Sequence, residues 1–266
     1  MGLPFVVALV AMAASLCALM AGAWLIQQRT GNAGWVDTTW TFATGFVGVV
    51  AALWPFAAHA LVLRQFMVAA LVLAWALRLG LHIAIRSAGI HDDPRYAEYA
   101  KQWGPAAPRK MFVFLQQQAL GSLPLVFAIF VAAQLPAAAL RLQDYLGALI
   151  LLVAIAGEGI ADAQLKRFRG DPANKGKVCE VGLWRWSRHP NYFFQWFGWL
   201  AYPVIAIAPG YPWGFAALLA PLFMFVILNY VTGVPPLEEQ MARSRGEAWR
   251  SYQARTSRFF LRPPKS

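Results

Sequence analysis

Seven apolar segments dominate this chain, at about 3–26, 35–56, 65–86, 112–134, 142–162, 190–208 and 213–233. Each is close to the roughly 20 residues an α-helix needs to cross a bilayer. In lipid the backbone must satisfy its own polar groups, so only helices and closed barrels can span, and these lengths select helices. The predicted fold class is all-α: a polytopic membrane helix bundle with seven transmembrane helices. Composition agrees. Of 266 residues, 59% are hydrophobic and 13% charged, too little charge to cover the surface of a soluble domain. The first segment, Leu3 to Ile26, has no basic residue before it and exceeds the apolar core of a signal peptide, so a retained helix is expected.

The net charge is +11, which could point to nucleic acid, but its distribution excludes that reading. With seven crossings, the connections after the first, third and fifth helices lie on the same side as the tail. Together they hold 20 of the 23 lysines and arginines. Arg64 and Arg141 lie opposite, and Arg78 is inside the third span. This positive-inside pattern predicts an outward N-terminus and a cytoplasmic tail over 235–266, as in a bacterial inner membrane. The same charge suits anionic membrane lipid or a phosphate-bearing cofactor. No segment is long enough to form a separate soluble domain, so residues 1–266 are read as one integral membrane domain. Segments 87–110 and 163–186 and the tail are rich in polar and turn residues, which predicts a cytoplasmic cap of loops. Gly45, Gly48, Ala51 and Ala52 predict close helix contact. Cys17 and Cys179 lie far apart, and the four histidines have no ligand spacing; neither a disulfide nor a metal site is expected. Nothing in the sequence sets an oligomeric state.

Polar groups entering a membrane are expensive and usually functional. Gly182-Leu183-Trp184-Arg185-Trp186-Ser187-Arg188-His189-Pro190-Asn191-Tyr192 places several of them at the mouth of an apolar segment. Asp37 opens the second span. Trp75, Arg78 and His82 share a face of the third, and Glu158 and Asp162 share a face of the fifth. Such groups should face inward, towards one another, water or ligand; structural pairing of Asp37 with Arg78 and simple packing of Trp75 are the bland alternatives. Lys166, Arg167, Arg169, Lys175 and Lys177 form a basic loop around the Asp171-Pro172-Ala173-Asn174 turn. Arginine forks suit phosphate oxygens, although topology alone could also explain the loop. Glu238 and Glu239 stand near the start of a predicted tail helix, where its dipole favours them. No Rossmann or P-loop fingerprint is present, so any dinucleotide would need a different kind of site.

Ala161-Asp162-Ala163-Gln164, Asn174-Lys175-Gly176-Lys177-Val178-Cys179 and the 182–192 motif resemble the C-terminal half of the steroid 5α-reductase superfamily. Asp37 beside tryptophans, Leu63-Arg64-Gln65, Trp75-Ala76-Leu77-Arg78-Leu79 and Asp93-Pro94-Arg95-Tyr96 are similar to its bacterial branch, so the resemblance covers most of the chain. It implies a seven-helix reductase that uses NADPH to reduce the C=C of a lipophilic enone, such as a 4-ene-3-oxo steroid, while an acidic or phenolic group polarises the ketone. The cofactor-binding residues it implies, with the basic loop, are Glu158, Asp162, Arg167, Arg169, Asn174, Lys177, Arg188, His189, Asn191, Tyr192 and Glu239. Asp37, His82 and Gln195 are the catalytic candidates. Gln195 falls where many members have glutamate, which removes a charge but keeps an amide, and Trp75 stands where a tyrosine assists in eukaryotic members. Two alternatives remain open. One is an S-adenosylmethionine-dependent methyltransferase of the isoprenylcysteine type, which shares an Arg-His-Pro-x-Tyr element and a tail like Glu238-Glu239 followed by Tyr252. The other is a non-enzymatic sterol- or lipid-binding protein.

Overall fold

The computed structural model describes residues 2–56, 60–89 and 94–264. Asp93, the first residue of the Asp93-Pro94-Arg95-Tyr96 motif, lies outside the described residues. Among the described residues the chain is helical, with no strand beyond a single bridge between Ala208 and Tyr211. Six helical stretches are long and apolar enough to cross a membrane: Phe5–Thr30, Gly34–Leu53, Val62–Ala88, Tyr96–Ala133, Leu142–Gly170 and Pro212–Arg255.

The first three follow the sequence expectation closely. They are α1 (Gly2–Thr30), α2 (Gly34–Leu53) and α3 (Val62–Ala88). Pro55 disfavours helical backbone at the residue before it; Trp54 is extended, with ψ 128°, and α2 stops there. The fourth stretch comprises α4 (Pro94–Trp103), α5 (Ala107–Gly121) and α6 (Leu123–Ala133). Pro124 has no N–H for the Leu120 carbonyl, and the break falls at Ser122. Next, α7 (Leu142–Gly170) runs eight residues past the predicted end of its span. Its last turn carries Arg167 and Arg169, which suit a helix C-terminus. The Asn174 amide donates to the Phe168 carbonyl (3.1 Å) and closes that end.

The expected sixth span, 190–208, is divided in two: α8 (Pro190–Trp199) and α9 (Ala201–Ala206). Pro203 cannot donate to the Trp199 carbonyl four residues earlier, which interrupts the ladder at Leu200. The last stretch joins a 3-10 segment Pro212–Leu218, α10 (Leu219–Val226), a π-helical turn Ile227–Val231 and α11 (Val234–Arg255).

The chain forms two compact units, Met1–Ala148 with Tyr202–Ala220, and Leu149–Ala201 with Pro221–Ser266. The core of the first unit includes Leu16, Met20, Val36, Val72, Leu125 and Ile129, all buried. Small residues bring α2 and α3 together as expected: a Cβ on Gly45 would sit 2.3 Å from that of Ala76. Arg64, counted among the charges opposite the tail, makes the most extensive polar contacts of this unit's interior. It is fully buried, gripping Asp144 through Nε and Nη2 (both 3.0 Å) and donating to the carbonyls of Leu135, Ala137 and Ala139. The second unit is built around aromatic rings, with Phe193, Trp196, Phe225 and Phe259 in mutual contact.

Candidate functional site

In the second unit, the α7 turn Ala161-Asp162-Ala163-Gln164 is the platform for the 182–192 motif. Three side-chain bonds join them. The indole of Trp184 donates to the Ala161 carbonyl (2.9 Å), the Leu183 N–H donates to Gln164 Oε1 (2.9 Å), and Asn191 Nδ2 donates to Asp162 Oδ1 (3.1 Å). Gly182 makes this docking possible. Its φ is +55°, and a Cβ there would fall within 2.6 Å of the Gln164 amide. The Asn191 carboxamide is held at both ends, because its Oδ1 accepts the Tyr192 N–H (3.0 Å). A group fixed in this way is a preorganised hydrogen-bonding element. Glu158 lies one turn before Asp162 on α7, and both are buried.

The next pair in the motif turns a different way. Arg188 Nε donates to Glu238 Oε1 (2.8 Å), and its Nη1 donates to the carbonyls of Gln253 and Thr256. His189 Nε2 meets the same Glu238 oxygen at 3.2 Å, and the His189 ring stacks on Tyr192 at 5.8 Å. Gln253 Nε2 donates to Glu238 Oε2 (3.2 Å), and the Tyr252 hydroxyl donates to the Trp184 carbonyl. Three further bonds tie the extreme tail to the motif: Arg188 N–H to Ser257, Ser187 Oγ to Phe259 and Arg262 N–H to Trp186. Arg188 and His189 therefore anchor α11 and the strap that follows it. Burial pushes His189 below the ordinary imidazole pKa, partly opposed by its contact with Glu238. Burial likewise pushes the Cys179 thiol up.

Other predicted positions in this unit are more scattered. Glu239 is exposed and pairs with Arg243 along α11, so Glu238 is the carboxylate at the motif. Gln195 is buried on α8. Lys166, Arg167, Arg169, Lys175 and Lys177 all lie at the surface, and Asn174 is engaged in closing α7.

In the first unit, Asp37 stands in the opening turn of α2. Its Oδ1 accepts a hydrogen bond from the Tyr96 hydroxyl (2.8 Å), and Arg86 Nη2 lies 3.8 Å from its Oδ2. Tyr96 is buried against Tyr99 and Phe114. Arg86 continues the α3 face of Trp75, Arg78 and His82, four residues beyond His82; His82 is half-buried there. Trp75 packs edge-on against Trp40, whose indole donates to Ser122 Oγ (2.7 Å). Among the described residues, no group of histidine, cysteine and carboxylate side chains could hold a metal ion.

A family model, described as protein of unknown function (DUF1295), matches residues 23–256. The chain belongs to this family. No curated protein and no solved structure matches it. Both constellations of this DUF1295 chain, Asp37–Tyr96 and Asp162–Asn191, fall within the matched residues. Reading the sequence missed two of the functional candidates. Tyr96 was visible only as the end of an Asp-Pro-Arg-Tyr motif; a phenol following a proline helix start, on a polar connection, was the available signal. Glu238 was seen beside Glu239 with nothing in the local pattern to separate them.

Proposed function

We propose that this protein is a membrane reductase that uses NADPH to reduce the enone C=C of a lipophilic substrate such as a 4-ene-3-oxo steroid. The observation that carries the reading is the Asn191–Asp162 hydrogen bond. The resemblance assigned both residues to the cofactor, and they meet although 29 positions apart. The surface arginines and lysines of 166–177 would hold the cofactor phosphates, a donor set suited to them. When bound, NADPH would supply the hydride for the β-carbon of the enone. Asp37 and Tyr96 would act at the ketone. The phenol O–H, already aligned by the carboxylate, is the donor that can polarise the carbonyl and stabilise charge developing on its oxygen. A proton taken up at the α-carbon completes the reduction. In this reading the phenolic role would fall to Tyr96 rather than Trp75, whose indole has only an N–H donor. An outward N-terminus and a cytoplasmic tail belong to the same reading and need an odd number of crossings; reporter fusions at the two ends test it.

One observation favours a second reading. Glu238 pairs with Arg188 and His189, and the Tyr252 hydroxyl donates to the Trp184 and Ser187 carbonyls just before them; that set of residues is the one shared with methyltransferases of the isoprenylcysteine type. Thermal stabilisation of detergent-purified protein separates the two. A ligand at a hundred times its Kd adds about 2.7 kcal/mol of stability. Stabilisation by NADPH, followed by enone-dependent loss of NADPH absorbance, is the expected result. Stabilisation by S-adenosylmethionine alone would transfer the assignment to the methyltransferase, and by neither would leave a binding protein.

A further inference from the structure

We propose that the C-terminal strap, with Arg258 and Arg262, is a binding site for the phosphate of an anionic phospholipid. The argument begins with charge balance in the tail. Arg243, Arg250 and Arg255 each face a carboxylate, those of Glu239, Glu247 and Glu180, while Arg245 turns back to the Ser244 carbonyl on its own helix. Among the described residues, no carboxylate lies within ion-pair distance of Arg258 or Arg262. Each of these two instead stands over an aromatic ring: Arg258 is 5.9 Å from the centre of Tyr230, and Arg262 is 5.8 Å from that of Phe260.

Both arginines are held in place by their surroundings. Arg258 Nη2 donates to the Asn229 carbonyl (2.7 Å), within the π-helical turn Ile227–Val231. A π-turn at a helix end leaves carbonyls without backbone partners, and Arg258 fills one of them. Its Nε is buried and has no partner. Arg262 is fixed by its own N–H, which donates to the Trp186 carbonyl (3.0 Å).

The level in the bilayer follows from the sequence of the same stretch. Residues 219–231 are almost wholly apolar, and α11 turns polar within two turns of its start. Arg258 returns to that boundary. Around it, Tyr230, Trp186 and Phe260 are 64%, 47% and 38% exposed, and Phe225 links the Tyr230 and Phe260 rings. Exposed aromatics beside unpaired arginines at the end of an apolar helix are the composition that takes a lipid headgroup. The rings fit the glycerol and upper acyl region, and the guanidinium donors fit a phosphodiester.

Native mass spectrometry of the full-length protein released from nanodiscs of phosphatidylglycerol and phosphatidylcholine tests this. Wild type is expected to retain phosphatidylglycerol selectively. Arg258→Gln/Arg262→Gln should lower that retention by roughly fivefold for each arginine removed. Arg243→Gln/Arg250→Gln, which removes the same net charge, should leave it unchanged. Arg262→Gln alone, at an exposed side chain, keeps the test available if the double variant does not fold. Equal retention of the two lipids by wild type would overturn the site, as would equal loss in the two variant pairs. Loss of stabilisation by free pyrophosphate or NADPH with lipid retention intact would also overturn it, assigning the arginines to a soluble phosphate.

Discussion

Arg64→Ala tests the packing of the first unit without reference to any activity. Arg64 and Asp144 are both fully buried, and the guanidinium serves two carboxylate oxygens and three carbonyls. Truncation leaves the Asp144 charge with Arg141, whose Nη2 is 3.6 Å away, as its remaining ion-pair partner. Removing one member of a buried pair typically costs about 3–5 kcal/mol, because the other charge stays desolvated. For a chain of this size each kcal/mol moves the melting temperature by roughly 2–4 °C, so a fall of about 6–20 °C is expected. The assay is tryptophan-fluorescence melting of detergent-purified protein at a fixed scan rate. Arg64→Met/Asp144→Leu supplies the control. It removes both charges, leaves the three carbonyls without their donor and the Arg141 N–H without its acceptor, and should recover at least half of the loss. A fall below about 2 °C in Arg64→Ala would refute the reasoning, as would a double variant no better than the single one.

Three further outcomes follow from the site geometry. Tyr96→Phe removes the proton donor and keeps the ring packing, so enone turnover should fall by about 10²-fold or more while NADPH-induced stabilisation is unchanged; full turnover would remove Tyr96 from the mechanism. Asn191→Ala should weaken NADPH-induced stabilisation, and an unchanged shift would separate Asn191 from the cofactor. His189 has a lowered pKa in the folded state, so below the unfolded value of about 6.5 the unfolded chain takes up a proton that the fold resists, and stability drops as pH falls. Melting between about pH 8 and pH 5 should therefore decline less steeply in His189→Gln than in wild type, and parallel curves would count against the buried neutral imidazole.

The helices were legible because apolar length is a strong signal in lipid, and α1, α2 and α3 lie where the hydrophobic runs placed them. The interruptions were not read. Pro124 and Pro203 both sit inside apolar runs whose hydropathy hides them, yet each removes a donor from the ladder and splits the run. The burial of Arg64 was out of reach for a different reason. Counting charges by side of the membrane says nothing of burial, and Arg64 owes its burial to carbonyls of the 135–139 loop and to Asp144, about 70 to 80 positions away. No local pattern contains those partners.

The 182–192 motif shows why a cluster of polar residues cannot be assigned to a ligand from its composition. Read in line, Arg188, His189, Asn191 and Tyr192 look equivalent, four polar groups at the mouth of an apolar segment. In the fold they diverge. Arg188 and His189 turn to Glu238, about 50 positions away, and hold the tail, while Asn191 turns to Asp162 on α7. The two directions have different physical needs. A buried guanidinium is costly without a counter-charge, and Arg188 finds one in Glu238 of the tail. An amide can be fixed by a single side chain and its own neighbour's backbone, which leaves it hydrogen-bonding capacity to spare. The motif is thus half fastening and half presentation, and Arg188→Ala should be felt first as a lower melting temperature and a loosened tail. A normal melting curve together with a raised KM for NADPH would return Arg188 to the phosphate role that its sequence first implied.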